Sequence, residues 1–226
     1  MKEYKTVGIL SALEVESDII LRSMSDKEVS VFSGMTYTRG QLYGKDTVLA
    51  TCGVSKVNAA LFTQIMIDRF SPDCILLTGV AGSMDKSVKQ MDLVVADKLT
   101  FHDVSPHQLE FCFPNQVWFH TDEELTDLIC KNAEGSMLGA IITGDQFITS
   151  KELKRQLKKR FPEALAVEME GCAVAHACFV NEVPFAIIRC ISDLADNGAE
   201  DSYEAFEQKA AEKSASVIIN TIDALR

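Results

Sequence analysis

The feature that most constrains this chain is an alternation of short, nearly all-apolar runs with longer segments of helical period. The runs "TVGILSA" (Thr6–Ala12), "DCILLTG", "DLVVADKLTF", "MLGAIITG" (Met137–Gly144), "EALAVEME" and "PFAIIRCIS" each read as a buried strand. Between them, Glu14 to Met24 reads as a helix. "SKVNAALFTQIMIDRF" groups Val57, Ala60, Leu61, Phe62 and Ile65 at helical spacing, with Ser55 as its N-cap and Pro72 past its end. "MTYTRGQLYGKDTVLATCG" reads as a hairpin turning at Gly44-Lys45-Asp46. Tyr203 to Leu225 keeps Phe206, Ala210, Val217 and Leu225 near one face, which predicts a closing helix. Strands alternating with helices predict an α/β fold: one domain over residues 1–226, a three-layer sandwich with a central mixed, mostly parallel sheet flanked by helices. No linker, repeat or low-complexity segment divides it.

Composition removes several functions. A net charge of −11 argues against a nucleic-acid partner held through phosphates, which needs clustered Lys and Arg. The one basic cluster, "KELKRQLKKR", places Leu153 and Leu157 at helical spacing and reads as a solvated helix face. No apolar run has the length of a membrane span, and "MKEYKTVGIL" lacks a signal-peptide core, so no membrane partner and a cytoplasmic location are expected. Seven cysteines, none in a C-x-x-C pair, read as free thiols packed as small hydrophobes in a reducing compartment. His102, His107, His120 and His176 pair with no Cys or acid at ligand spacing, so no metal and no cofactor is expected.

Ligands of open α/β sheets bind outside the carboxyl ends of the strands. Those ends here run into "SALEVE", "CGVSK", "TGVAGS", "TGDQF", "VEMEG" and "SDLAD". Glycines there permit close backbone approach, and Glu14, Glu16, Asp145, Glu168, Glu170 and Asp193 are expected at one edge. Such a set reads as a pocket for a neutral or cationic, polyol-bearing small molecule. Singly, each residue has a plainer explanation. Glu14 or Glu16 suits a helix N-terminus, Asp145 caps its own turn, Met169 fills core, and His176 in "GCAVAHACF" is a helix residue.

In this order the segments "GILSALEVE", "CGVSKVNAA", "TGVAGS", "DLVVAD" with "FHDV", "TGDQFI", "AVEMEGCAVAH" and "RCISDLAD" resemble the nucleoside phosphorylase/nucleosidase superfamily. Within it they are most similar to the 5′-methylthioadenosine/S-adenosylhomocysteine nucleosidase family. The resemblance runs from Val7 to Asp196, and its last two segments are the specific ones. It implies that Asp193 protonates adenine N7 and that Ser192 supports it. It implies that Glu16 holds and activates the attacking water and that Glu170 binds the ribose hydroxyls above Met169. Phe147 would stack near the adenine, and the Ile148 backbone would read its Watson–Crick edge. The implied reaction is hydrolysis of the N-ribosidic bond of methylthioadenosine and S-adenosylhomocysteine, and of 5′-deoxyadenosine.

The chemistry is coherent on its own terms. Cleaving an N-ribosyl bond passes through an oxocarbenium-like sugar, so one acid must serve the leaving group and another the water opposite it. A third carboxylate on the ribose favours the developing positive charge. The superfamily's phosphorylases use arginines to hold phosphate. Here "CILL" precedes "TGVAG" and the first loop carries Glu14 and Glu16, so hydrolysis is expected. Three positions depart from the family pattern: Val80 replaces a common serine, Tyr203 replaces a phenylalanine that covers the sugar, and "SPHQLEFCFPNQVWF" replaces an aromatic, glycine-containing loop. The alternatives are a futalosine-type nucleosidase, a phosphorylase and a non-catalytic nucleoside-binding module. The segment from Phe101 to Phe119 carries Phe111, Phe113, Trp118 and Phe119 with little periodicity. The resemblance places this region in a homodimer interface that closes the neighbour's 5′ pocket.

Overall fold

A computed structural model describes residues 3–225. The elements run β1 (Thr6–Ser11), α1 (Glu14–Ser23), β2 (Ser25–Phe32), β3 (Met35–Leu42), β4 (Lys45–Thr51), α2 (Lys56–Phe70), β5 (Cys74–Leu77), β6 (Val80–Ser83) and β7 (Leu93–Phe101). They continue with α3 (Pro106–Phe111), β8 (Phe119–His120), α4 (Glu123–Asn132), β9 (Met137–Thr143), α5 (Lys151–Arg160), β10 (Ala164–Glu168), α6 (Gly171–Val180), β11 (Phe185–Asp193) and α7 (Ala199–Ala224). The strands form one mixed sheet in the order β2-β3-β4-β1-β5-β11-β6-β10-β9-β7-β8. Because β11 also pairs with β7, strands β11, β6, β10, β9 and β7 close into a ring. The molecule is thus half open sheet and half small barrel, with β11 in both.

Period-two alternation along the central strands builds the layers. Ile75 and Leu77 of β5 and Ile187 and Ile191 of β11 pack toward Met66 of α2 and Val174 of α6. Cys74, Leu76, Ala186 and Ile188 face the other way, toward Ile20 of α1, Ile129 of α4 and Ile218 of α7. This is the expected three-layer arrangement. β11 is buried along its whole length, as its apolar run predicts.

Several local expectations are corrected. The hairpin turns at Tyr43-Gly44, both at positive φ (50° and 77°), because Leu42 pairs with Lys45. Such a two-residue turn matches the twist of the strands it joins. "VAGS", expected as loop, is strand β6. β2 and α4 have no counterpart in the sequence reading: six of the eight β2 residues are exposed, the first five, "SDKEV", in a row, which erases the alternation. The segment 101–119 contains α3 and β8. Within it Phe119 is fully buried and Trp118 packs on Phe161, whereas Phe111 and Phe113 are 61% and 80% exposed. α7 starts at Ala199, so Tyr203 lies inside the closing helix.

The basic face of α5 is not simply solvated. Lys154 Nζ donates to the Leu194 carbonyl (2.6 Å) and Lys158 Nζ to the Ala164 carbonyl (2.8 Å). The two Arg160 Nη groups donate to the His102 and Val104 carbonyls, each at 2.9 Å.

Candidate active site

At the carboxyl ends of β1, β10 and β11, beside the first residues of β6, lies a cleft of about 430 Å³. Its lining includes Glu16, Val80, Phe147, Met169, Glu170, Ser192, Asp193 and Tyr203. Ile148, 2% exposed, lines a smaller recess that shares Phe147, Met169 and Asp193 with the cleft. The nine residues Glu16, Val80, Phe147, Ile148, Met169, Glu170, Ser192, Asp193 and Tyr203 therefore line this cleft or its recess, whereas Glu14 and Asp145 do not.

Asp193 ends β11 at a register shift against β6: Ile191 pairs with Ala81, and Asp193 with Gly82. The extra residue is Ser192, and a bulge of this kind re-aims the next side chain. Asp193 is 1% exposed. Its Oδ1 accepts from the Ala195 N–H (2.8 Å) and its Oδ2 from the Ser192 hydroxyl (2.9 Å). Burial pushes its pKa up, against these two bonds and the Lys154 ammonium. Gly82 makes the approach possible, since a Cβ there would lie 2.9 Å from Asp193 Oδ1.

Glu16 sits in the first turn of α1 and is 1% exposed. Its Oε2 accepts from the Ala12 and Leu13 N–H groups (2.8 and 2.9 Å), closing the helix start, and its Oε1 accepts from the Val80 N–H (3.0 Å). Burial raises its pKa too, here against Arg189 and three backbone donors. Glu14, two residues earlier in the same first turn, is exposed and lines a neighbouring groove instead.

The residue that sequence reasoning missed is Arg189, which is fully buried on β11. Its Nη1 donates to the Thr78 carbonyl (3.1 Å), and its Nη2 donates to Glu168 and, at 3.4 Å, to Glu170. Burial works against its charge, and the carboxylates of Glu168, Glu170 and Glu16 more than offset that. Glu168 is the brace: it also accepts from the Thr143 hydroxyl and from the Glu170 and Gly171 N–H groups (3.0 and 2.6 Å). Glu170 accepts from the Ser55 N–H (3.1 Å), and burial followed by the Glu168 charge raises its pKa. Gly79 separates Arg189 from Glu16; a Cβ there would collide with both, and its φ is +147°. A lone arginine inside "PFAIIRCIS" was the available signal, because a buried cation must be paired.

The remaining acid, Asp145, does not cap its own turn. It is exposed, accepts from the Lys56 N–H (2.8 Å) at the start of α2, and lies 3.7 Å from Lys56 Nζ. Lys56 Nζ also pairs with Asp103 at 2.6 Å. His176 stacks on Phe119 at 5.1 Å, as a helix residue should. Phe147 and Tyr203 meet edge to face at 5.6 Å across the cleft mouth. The Tyr203 hydroxyl bonds to Glu207 (2.5 Å).

The family model described as "Phosphorylase superfamily" matches residues 6–223. The chain belongs to the phosphorylase superfamily. A 5′-methylthioadenosine/S-adenosylhomocysteine nucleosidase of Staphylococcus haemolyticus is 36% identical over 228 residues, covering 97% of this chain and all of that one. The corresponding nucleosidase of Neisseria meningitidis, solved with methylthio-immucillin-A, superposes with a TM-score of 0.93 at 35% identity. That match covers 98% of this chain and 100% of that chain. The futalosine hydrolase of Helicobacter pylori gives 0.91 at 36% identity, covering 98% of each chain. The superfamily member met here therefore sits among nucleoside-cleaving hydrolases.

Proposed function

We propose that this protein hydrolyses the N-ribosidic bond of 5′-methylthioadenosine and S-adenosylhomocysteine, and of 5′-deoxyadenosine, releasing adenine and a 5-thioribose-type (or deoxyribose-type) sugar. The observation that carries this reading is the placement of Asp193, Glu16 and Glu170 around one cleft, each in a different donor environment. Asp193, with its pKa raised by burial, protonates N7 so that adenine leaves as a neutral base. Glu16, pinned by three N–H groups, is the carboxylate that holds and activates water on the opposite face of the sugar. Glu170 binds the ribose hydroxyls with Met169 beneath the ring, while Phe147 stacks on the base and the Ile148 backbone reads its edge. Val80 and Tyr203 complete the walls, and Ser192 supports Asp193.

Three acids, Glu16, Glu168 and Glu170, surround a single guanidinium at the sugar end. That excess of negative charge favours an oxocarbenium and disfavours a phosphate nucleophile. Arg189 is committed to Glu168, Glu170 and the Thr78 carbonyl, which argues for water over phosphate.

A second copy of the chain is the partner that fits. Exposed Val57 and Leu61 on α2, Phe179 and Val180 on α6, Phe111 at the end of α3 and Phe113 just beyond it lie on neighbouring elements. Phe113 approaches His176 of α6 at 6.3 Å, and exposed Val54 carries the apolar surface to the cleft. In a homodimer this surface would be covered and the 101–119 segment would close the neighbour's 5′ pocket. Seven cysteines, none of them in a disulfide among the described residues, suit a reducing cytoplasm, and the products suit methionine salvage. Among the described residues no helix is long and apolar enough to cross a membrane.

The test is release of the free nucleobase by purified protein from methylthioadenosine, S-adenosylhomocysteine and futalosine, with and without phosphate. Adenine and free sugar from the thio-nucleosides, at a rate indifferent to phosphate, is the expected result. A ribose 1-phosphate product, or cleavage of futalosine alone, would overturn it.

A further inference from the structure

Lys154 is half-buried, and its ammonium donates to the carbonyl of Leu194, the residue after Asp193, at 2.6 Å. It belongs to α5, which touches the segment leaving β11 at two further points. The Lys151 N–H donates to Asn197 Oδ1 (3.1 Å), and Lys151 Nζ stands 4.0 Å from Asp196. α5 is itself anchored, with Leu157 and Phe161 packed in a small core that includes Ala195. The turn it holds is not a relaxed one. Ala195 is buried with φ +49°, a left-handed conformation costly for any residue with a Cβ, and its N–H is the donor to Asp193 Oδ1.

We propose that Lys154, acting through the Leu194 carbonyl and its own positive charge, is a positioning residue that fixes the Asp193 turn and sets the pH range in which Asp193 delivers its proton. This rests on the nucleosidase reading above. The groups facing Lys154 are Asp193, Asp196, Asp85 and Lys158, and Lys158 is paired with Asp85 at 2.7 Å. Asp193 faces Lys154, Asp196, the Ser192 hydroxyl and, across the cleft, Tyr203. Among these, Lys154 is the cation that draws Asp193 toward its carboxylate form, against burial. The sign follows. Asp193 works as the acid, so activity falls as pH rises through its pKa. Removing the neighbouring charge keeps Asp193 protonated to higher pH, and the alkaline limb of kcat/KM moves upward.

Three variants separate the contributions. Lys154→Gln keeps a donor for the Leu194 carbonyl but loses the charge. Lys154→Met loses both, and Lys154→Arg keeps both. The alkaline limb of adenine release should move to higher pH in the Gln and Met variants and stay in place in Arg. The Met variant alone should also lose kcat severalfold, with KM little changed, because its turn is no longer held. An unmoved limb in the Gln variant would overturn the proposal, as would an equal loss at every pH in all three. The Gln variant decides the matter even if the Met variant fails to fold. Carbon-13 NMR titration of the Asp193 carboxyl reads the same shift without turnover. Wild-type protein that releases no adenine, yet shows this titration shift on Lys154→Gln, would refute the nucleosidase reading and leave the Lys154 assignment standing.

Discussion

The two ends of the cleft carry the same functional group in opposite settings. At the base end, Asp193 takes one N–H and one hydroxyl and ends a strand buried along its whole length. At the sugar end, Glu16 takes three backbone N–H groups, with the Arg189 guanidinium beside it. Burial raises both pKa values, so burial alone cannot divide their roles. Donor number does: each N–H aimed at a carboxylate stabilises its charged form. The lesson is that an acid and a base can be made from one residue type by counting the hydrogens pointed at it. A bell-shaped pH profile follows, with activity lost at low pH as the Glu16–Glu170–Arg189 cluster takes up a proton and at high pH as Asp193 ionises. The acidic limb belongs to the cluster rather than to one residue.

Asp193→Asn should be the most damaging change, lowering adenine release by about 10²–10⁴-fold with nucleoside binding retained, because an amide delivers no proton. Equilibrium binding alongside a turnover assay checks both halves, and wild-type turnover would end the assignment. Glu16→Gln should be about as severe, with its loss in kcat. Gly79→Ala attacks the sugar end from beneath. The new methyl group would push Arg189 and Glu16 apart, costing roughly 1–3 kcal/mol of stability by overpacking, which denaturant unfolding would measure. Activity should fall with it. Glu170→Gln should weaken affinity and rate together, by about 10–100-fold if a charge-assisted hydrogen bond of ~1.5–3 kcal/mol is lost.

How far the cleft could be foreseen divides along the same line. The strand ends were legible because burial on both faces leaves a plain apolar run, and the acids that interrupt those runs fall at the cleft. Arg189 is not legible because it lies inside such a run, and its three carboxylate neighbours belong to other elements of the fold. Asp145 reads as a cap of its own turn because such a bond is local, whereas its partner Lys56 is 89 positions away. β2 escaped notice because, at the sheet edge, its side chains are mostly exposed and show no alternation. Local chemistry is written locally, and ion pairs that cross the fold are not.

The smallest expected effects lie at the rim. Replacing Phe111 and Phe113 by alanine should alter the relative use of methylthioadenosine, S-adenosylhomocysteine and 5′-deoxyadenosine more than adenine recognition. It should also weaken self-association in light scattering. A monomer at assay concentration with full activity would remove the shared-pocket part of the account.

The contrast between the two ends is tested most directly by changing the leaving group. A 5-methylthioriboside of p-nitrophenol departs without needing a proton, whereas adenine needs one. Asp193→Asn should lose adenine release yet keep most of its p-nitrophenol release, and Glu16→Gln should lose both. Equal loss of both substrates in Asp193→Asn, or rescue of Glu16→Gln by the better leaving group, would contradict the division of labour between the two carboxylates.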